Sequence, residues 1–232
     1  MLRINQYWLS KIFWDTTLES LGLLPKQDVE ELLMLSTELE SLRVKAKYNT
    51  GSVSQASMLL YAAVAAMTSP RDILEVGTFI GKSTMAMAIG AREKHRLVNV
   101  YTCDYSNDIT LPALEGVNLI QYKLQTSTKM LTDYLKLSAA PGLVHLDGRV
   151  TREDVDLLSR LHLANTTFLL DDFEGTEKGV LNAMLLQSLV GKTHALIYPI
   201  EDRTVRIGSQ LVRGRSSLAC IYPRSLINLT AQ

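Results

Sequence analysis

Four strand-like runs in this sequence end in an acid or a glycine, and those ends are where chemistry could sit. Ile73-Leu-Glu-Val runs into Gly77, Val98–Cys103 into Asp104, Leu143–Leu146 into Asp147, and Thr166–Leu170 into the pair Asp171-Asp172. A carboxylate is costly to bury without a partner. Acids at these ends must therefore face solvent, a cation or the hydroxyls of a ligand. In an open sheet of parallel strands, the carboxyl ends of the strands are where ligands bind.

The stretch Ile73–Ala88 reads as strand, glycine turn and helix: an apolar run, then Gly77 and Gly81, then Met85, Ala88 and Ile89 at helical spacing. Glycines let the backbone approach a ligand, and the start of the helix offers free N–H groups. Asp104 closes the second strand 27 residues beyond Gly77 (104 − 77). An acid there can accept both hydroxyls of a ribose; the alternative is a strand-terminal Asp that caps a turn. Gly81-Lys-Ser-Thr lacks the spacing of a phosphate-cradling loop. The third glycine of a Gly-x-Gly-x-x-Gly fingerprint is missing too, which argues against a dinucleotide.

The elements that must hold these ends alternate along the chain. Strands are expected at Asp72–Val76, Val98–Asp104, Val117–Lys123, Leu143–Asp147 and Thr166–Asp171, with helices after the first and after each of the third to fifth. The nearly all-apolar fourth strand suits the centre of a parallel sheet. Thr193–Ile200 and Ser217–Tyr222 are two further strands. The loop expected between them, Glu201–Arg215, holds no helix, so that last pair must be antiparallel. The fold class is α/β: a Rossmann-like, doubly wound, seven-stranded, mostly parallel sheet with an antiparallel last strand and an N-terminal helical extension. Residues 1–47 form that extension and 48–232 the ligand-binding domain. Within the extension, Leu32, Leu35, Leu39 and Leu42 share one helix face, either packing on the core or a dimer partner, or forming a lid. Gln55–Met67 is apolar almost all round and is expected to be buried.

Hydrophobic residues make up 47% of the 232, which places the chain among globular proteins. Lys+Arg and Asp+Glu balance at 24 each, which argues against a nucleic-acid partner and against an RNA substrate. Two cysteines, Cys103 and Cys220, fall in strands and read as buried thiols. No apolar run approaches a membrane span, and the N-terminus lacks the apolar core of a signal peptide. The expectation is a soluble cytoplasmic protein acting on a small molecule, with no membrane partner, and a homodimer if the leucine face is free.

Ile-Leu-Glu-Val-Gly-Thr-Phe-Ile-Gly-Lys-Ser-Thr84 resembles motif I of the class I S-adenosylmethionine-dependent methyltransferases. It is most similar to that of the small O-methyltransferases of the catechol and caffeoyl-CoA type and their bacterial natural-product relatives. The resemblance spans roughly Tyr48 to Tyr222. It implies that Glu75, Gly77 and Gly81, with Thr78 and Ser83 of the same turn, surround the methionine part of the cofactor. It implies further that Asp104 holds the ribose and Tyr105 flanks the adenine. Thr126-Ser127 matches a segment that meets the adenine ring. Thr50-Gly51-Ser52-Val matches a loop that closes over the amino-acid end of the cofactor, and Asp147 borders the same site.

Val-His-Leu-Asp-Gly-Arg149 and Leu-Leu-Asp-Asp-Phe-Glu-Gly175 resemble the acid-bearing stretches of the metal-dependent members. That resemblance implies a divalent cation, Mg²⁺ or Ca²⁺, on Asp147, Asp171 and Asp172, since an all-oxygen set suits those ions. Adjacent strands lie about 4.8 Å apart, so the ends can converge. Both acids of the pair reach one ion only if the backbone turns between them; otherwise one orients the cofactor and the other caps the next helix. Where the catechol-type enzymes place a lysine near the substrate hydroxyl, this chain has Arg149, which is no base at neutral pH but can clamp an anionic substrate group. His145 shares a strand face with Asp147 and is either a general base or a satisfied buried histidine. Glu174 and Lys178 read as ordinary charges at a helix start. The function expected is methyl transfer to a small-molecule hydroxyl. Its rivals are a nicotinamide-dependent oxidoreductase and a cofactor-binding subunit without catalysis.

Overall fold

A computed structural model of the chain describes residues 2–4, 7–46, 51–92, 97–138, 140–174, 176–198, 201–207 and 210–226. In order, the elements are β1 (Arg3–Ile4), α1 (Tyr7–Glu19), α2 (Lys26–Ser41), α3 (Gln55–Thr68), β2 (Asp72–Val76), α4 (Lys82–Arg92), β3 (Val98–Asp104) and β4 (Val117–Lys123). There follow α5 (Ser127–Leu137), β5 (Leu143–Leu146), α6 (Arg152–Leu158), β6 (Thr167–Leu170), α7 (Gly179–Val190), β7 (His194–Ile197), β8 (Glu201–Ile207), β9 (Gln210–Ser216) and β10 (Ala219–Pro223).

The main sheet runs β1-β7-β10-β6-β5-β2-β3-β4. β2 pairs in parallel with both β3 and β5. The chain therefore winds outward in both directions from the seam between β2 and β5, and that reversal makes a crevice at the carboxyl edge. β10 inserts between β6 and β7 and is antiparallel to both. The seven expected strands are all present, and the two-residue β1 adds an eighth by pairing in parallel with β7.

Two apolar layers cover the sheet. One joins α1, α2, α3 and α4, the other α5, α6 and α7. α3 is buried along Ala56–Ala66, as its all-round apolar sequence requires. α4 lies so close to it that a Cβ on Gly90 would sit 2.0 Å from the Ala62 carbonyl oxygen. Leu32, Leu35 and Leu39 of α2 are buried within the chain's own core. Arg92, at the end of α4, holds Asp28 and Glu31 near the start of α2, while Lys82, at the start of α4, holds Glu40 near the end of α2. The two helices are thus stapled antiparallel.

Two expectations need correction. The stretch expected as the loop Glu201–Arg215 contains the antiparallel hairpin β8–β9. Its strands are dominated by polar and charged residues and show no apolar run, so the pattern reads as a loop. Gly208-Ser209 between them is the turn signal that the sequence does carry. The helix expected to carry Leu32, Leu35, Leu39 and Leu42 on one face ends at Ser41, so Leu42 falls in a 3₁₀ turn, Leu42–Lys45. Cys103 and Cys220 are both buried and free. Among the described residues no helix is long and apolar enough to cross a membrane.

Candidate functional site

Strand register stacks two rows of side chains at the carboxyl edge. Gln121, Thr102, Glu75, His145 and Leu169 are neighbours across β4, β3, β2, β5 and β6. Two residues further along each chain, on the same face because side chains alternate, come Lys123, Asp104, Gly77, Asp147 and Asp171. The first row is a buried floor. The second is the edge above it.

The floor is a closed polar network. The Glu75 carboxylate has no exposed surface. It accepts from Ser83 Oγ at 2.7 Å, from Thr102 Oγ1 at 2.6 Å and from Thr84. His145 Nδ1 lies 3.0 Å from Glu75 Oε1, and its Nε2 lies 2.9 Å from the Tyr61 hydroxyl. Thr78 joins through Thr102 at 2.6 Å. Burial alone would lower the His145 pKa; the hydrogen bond and charge of Glu75, then Asp147 and Asp171, more than offset it and raise it. Burial first, then the same acids, push Tyr61 well above the usual phenol range. His145 is 0% exposed with both ring nitrogens engaged. It is the satisfied buried histidine, and its placement as a base is corrected. Glu75, Thr78 and Ser83 likewise lie in or against the floor, not on the open face of the turn.

The glycine turn rests on this floor. Gly77 has φ +101 and Gly81 φ +81. A Cβ on Gly77 would lie 3.0 Å from Gly148 N, because Asp147 N and Gly148 N both donate to the Val76 carbonyl. The ends of β2 and β5 approach too closely for a side chain. Phe79, between the glycines, also has positive φ (+46), and this places its N–H on Asp104 Oδ2 at 2.8 Å. Asp104 Oδ1 accepts from Ser106 N at 2.9 Å, so the carboxylate is fixed at the mouth of the turn while staying partly exposed. Asn107, buried, donates to the Phe79 carbonyl and accepts from Ile109 N; no motif or period around residue 107 points to that role. Tyr105, 78% exposed, stands beside Asp104.

Ser52 is tied in from the chain before α3, next to Gly51 (φ +81). Lys82 donates to Glu40 and to the Val53 carbonyl, and Ser52 Oγ lies 3.5 Å from Glu40. The Arg43 guanidinium stands 5.8 Å from the Phe79 ring centre. Thr50 lies outside the described residues. A cavity of about 300 Å³ opens between the 3₁₀ turn and the segment after β3, lined by Leu42, Lys45, Asp108, Ile109 and Thr110. Thr126 caps α5 through Lys129 N. Ser127 donates to buried Asp154, which also caps α6.

At the far side of the crevice lie the acids. The backbone does turn between Asp171 and Asp172, where φ is +52. The turn does not deliver three carboxylates to one open centre. Lys178 Nζ donates to Asp147 Oδ1 at 2.8 Å and also pairs with Asp172. Burial pulls the lysine pKa down, but Asp147 and then Asp172 raise it overall. Asp171 is pushed up to about 6, first by burial and then by Asp147. Among the described residues no group of three His, Cys, Asp or Glu side chains is arranged to hold a metal ion. Lys178 is therefore not an ordinary charge at a helix start. Arg149, 66% exposed, pairs with Glu177 at 2.9 Å.

No protein-family model matches the chain, and no curated protein matches it. Solved structures do. The S-adenosylhomocysteine-bound methyltransferase PaMTH1 of Podospora anserina matches at a TM-score of 0.51 and 16% identity, over 82% of this chain and 87% of that one. An O-methyltransferase from Bacillus cereus in complex with S-adenosylhomocysteine matches at 0.46 and 13%, over 85% and 91%. TomG, an O-methyltransferase of Streptomyces achromogenes in complex with S-adenosylmethionine, matches at 0.43 and 14%, over 74% and 81%. The likeness to PaMTH1 shows that the chain has the fold of that methyltransferase.

Proposed function

We propose that this chain is an S-adenosylmethionine-dependent methyltransferase that methylates the oxygen of a small-molecule hydroxyl. The observation that carries the reading is Asp104, held at the end of β3, one strand from the switch point, by Phe79 N–H and Ser106 N–H. A carboxylate offers about four acceptor directions. Asp104 spends three of them, counting the Ser106 hydroxyl at 3.2 Å, and stays partly exposed, so it keeps capacity for one ribose hydroxyl. In this reading the positive-φ turn at Gly77 and Gly81 meets the methionine end with its backbone, with Gly51 and Ser52 across from it and Tyr105 beside the adenine. Bound, S-adenosylmethionine supplies an electrophilic methyl whose C–S bond breaks as the new C–O bond forms, the electron pair staying on sulfur. The chain's share is to align the acceptor oxygen and exclude water. Its proton goes to a carboxylate of the edge, and Asp171 has the raised proton affinity for that role.

A resident Mg²⁺ or Ca²⁺ on Asp147, Asp171 and Asp172 does not fit the residues as they stand. Lys178 takes the oxygens of Asp147 and Asp172 that such an ion would need, and no step here runs through a metal.

Calorimetry with S-adenosylhomocysteine tests the reading. Saturable one-site binding is expected, weakened about 10- to 100-fold in Asp104→Ala, as for loss of hydrogen bonds to a charged group. Wild-type protein that binds neither S-adenosylhomocysteine nor S-adenosylmethionine would rule it out.

A further inference from the structure

The acid cluster at the ends of β5 and β6 carries its own cation. We propose that the ammonium of Lys178 is the resident cation of this edge. It holds Asp147 and Asp172 in the place a divalent ion would take, so the chain works without a metal. The assignment stands on geometry and is independent of the methyl-transfer reading.

Three observations support the assignment. Asp147 and Asp172 come from the ends of adjacent strands, and one ammonium pairs with both. The lysine is also locked in place along the backbone. Gly179, next to it, is pressed so close to the Asp171 carbonyl that a Cβ would lie 2.5 Å from that oxygen. The Lys178 carbonyl accepts from Asn182 N at 2.8 Å. Asn182 itself is fully buried, donating to the Gly148 carbonyl at 2.9 Å and accepting from Val150 N at 3.1 Å. The loop that follows Asp147 and the residue that neutralises it are thus held by one buried amide. A surface lysine free to swing away is not built like this.

The test is a Mn²⁺ titration followed by electron paramagnetic resonance on the full-length protein, with S-adenosylhomocysteine calorimetry run alongside. Wild-type protein is expected to show no saturable Mn²⁺ site that Asp147→Asn abolishes. Lys178→Ala and the less disruptive Lys178→Gln free the carboxylates and are expected to create a site, at least about tenfold tighter than any in wild type, that a second change, Asp147→Asn, removes. A wild-type site lost in Asp147→Asn overturns the assignment. So do folded Lys178 variants, judged by circular dichroism, that gain no site. If neither variant folds, the wild-type titration decides. Wild type that fails to bind S-adenosylhomocysteine while the Mn²⁺ results come out as expected sinks the methyl-transfer reading and leaves the cation assignment in place.

Discussion

Three glycines separate backbone strain from crowding, and alanine at each should give a graded result. Gly22 has neither a positive φ nor any atom within 4 Å of where an alanine methyl would sit; Gly51 has φ +81 and open space; Gly77 has φ +101 and backbone at 3.0 and 3.2 Å. Gly→Ala at an unstrained position stabilises by about 0.4–1 kcal/mol through the unfolded chain. A non-glycine residue held in a sparsely populated backbone region costs about 1–3 kcal/mol. Forcing atoms into a packed space costs about 1–3 kcal/mol more. Gly22→Ala should therefore gain a few tenths to about 1 kcal/mol, and Gly51→Ala should lose about 1–2 kcal/mol. Gly77→Ala should lose about 2–4 kcal/mol, because Gly148 N and the Asp147 carbonyl carbon are backbone and cannot swing away. For a chain of this size each kcal/mol moves Tm by about 2–4 °C, so Gly77→Ala should melt roughly 5–15 °C lower. Thermal unfolding by circular dichroism measures the series. A Gly77→Ala protein that melts no lower than Gly51→Ala would refute the claim that the approach of β2 to β5 dictates the glycine.

Three pH effects follow from Asp171 and His145. Asp171, raised from 3.8 to about 6, binds its proton more tightly in the folded state, so stability falls as pH rises between about 4 and 6 and is flat above. Asp171→Asn should remove that slope and, after discounting for solvent access at the strand end, gain about 1–2 kcal/mol at pH 7 in urea melts; an unchanged slope speaks against the shift. Methyl transfer to a hydroxyl should rise with pH through about 6 if Asp171 takes the proton. His145 has a folded pKa above 6.5. The stability it contributes is fully present below pH about 6.5 and is lost as pH rises through the folded value. His145→Gln should flatten stability over that range, and a wild-type profile that already lacks the decline would count against the Glu75–His145 pair.

Much of the fold was legible because its signals are local. β2, β3 and β4 begin and end at the residues where apolar runs meet Asp72, Asp104 and Lys123. β1 was not legible: two residues carry no period, and the strand exists only through pairing with β7. At the site, position along the strands was readable and depth was not. Alternation puts His145 and Asp147 on one face. That His145 lies beneath Asp147 and faces Tyr61 depends on α3 covering the sheet, which no window around residue 145 contains. Lys178 was visible as a charge near the acids. Its grip on Asp147 depends on the left-handed residue Asp172 and the return of the chain to Gly179, which are tertiary facts.

The two rows explain why the acids of one edge have such different fates. Glu75 lies two residues before Gly77, one level down, where only protein can reach it. Its charge is met by four side-chain donors, two of which, Ser83 and Thr84, belong to the first turn of α4. A carboxylate there also favours the positive end of that helix. Glu75 thus fixes α4 against β2, and the residues between them, Gly77 to Gly81, have their ends set. The buried charge is a device for holding the turn, because a network with every partner satisfied is stiff while one with a member missing is costly. Asp104 and Asp147 sit one level up, where the same carboxylate chemistry meets backbone N–H groups and one lysine and still faces the crevice. The difference between an acid sealed in the floor and one that faces the crevice is, in this chain, a step of two residues along a strand.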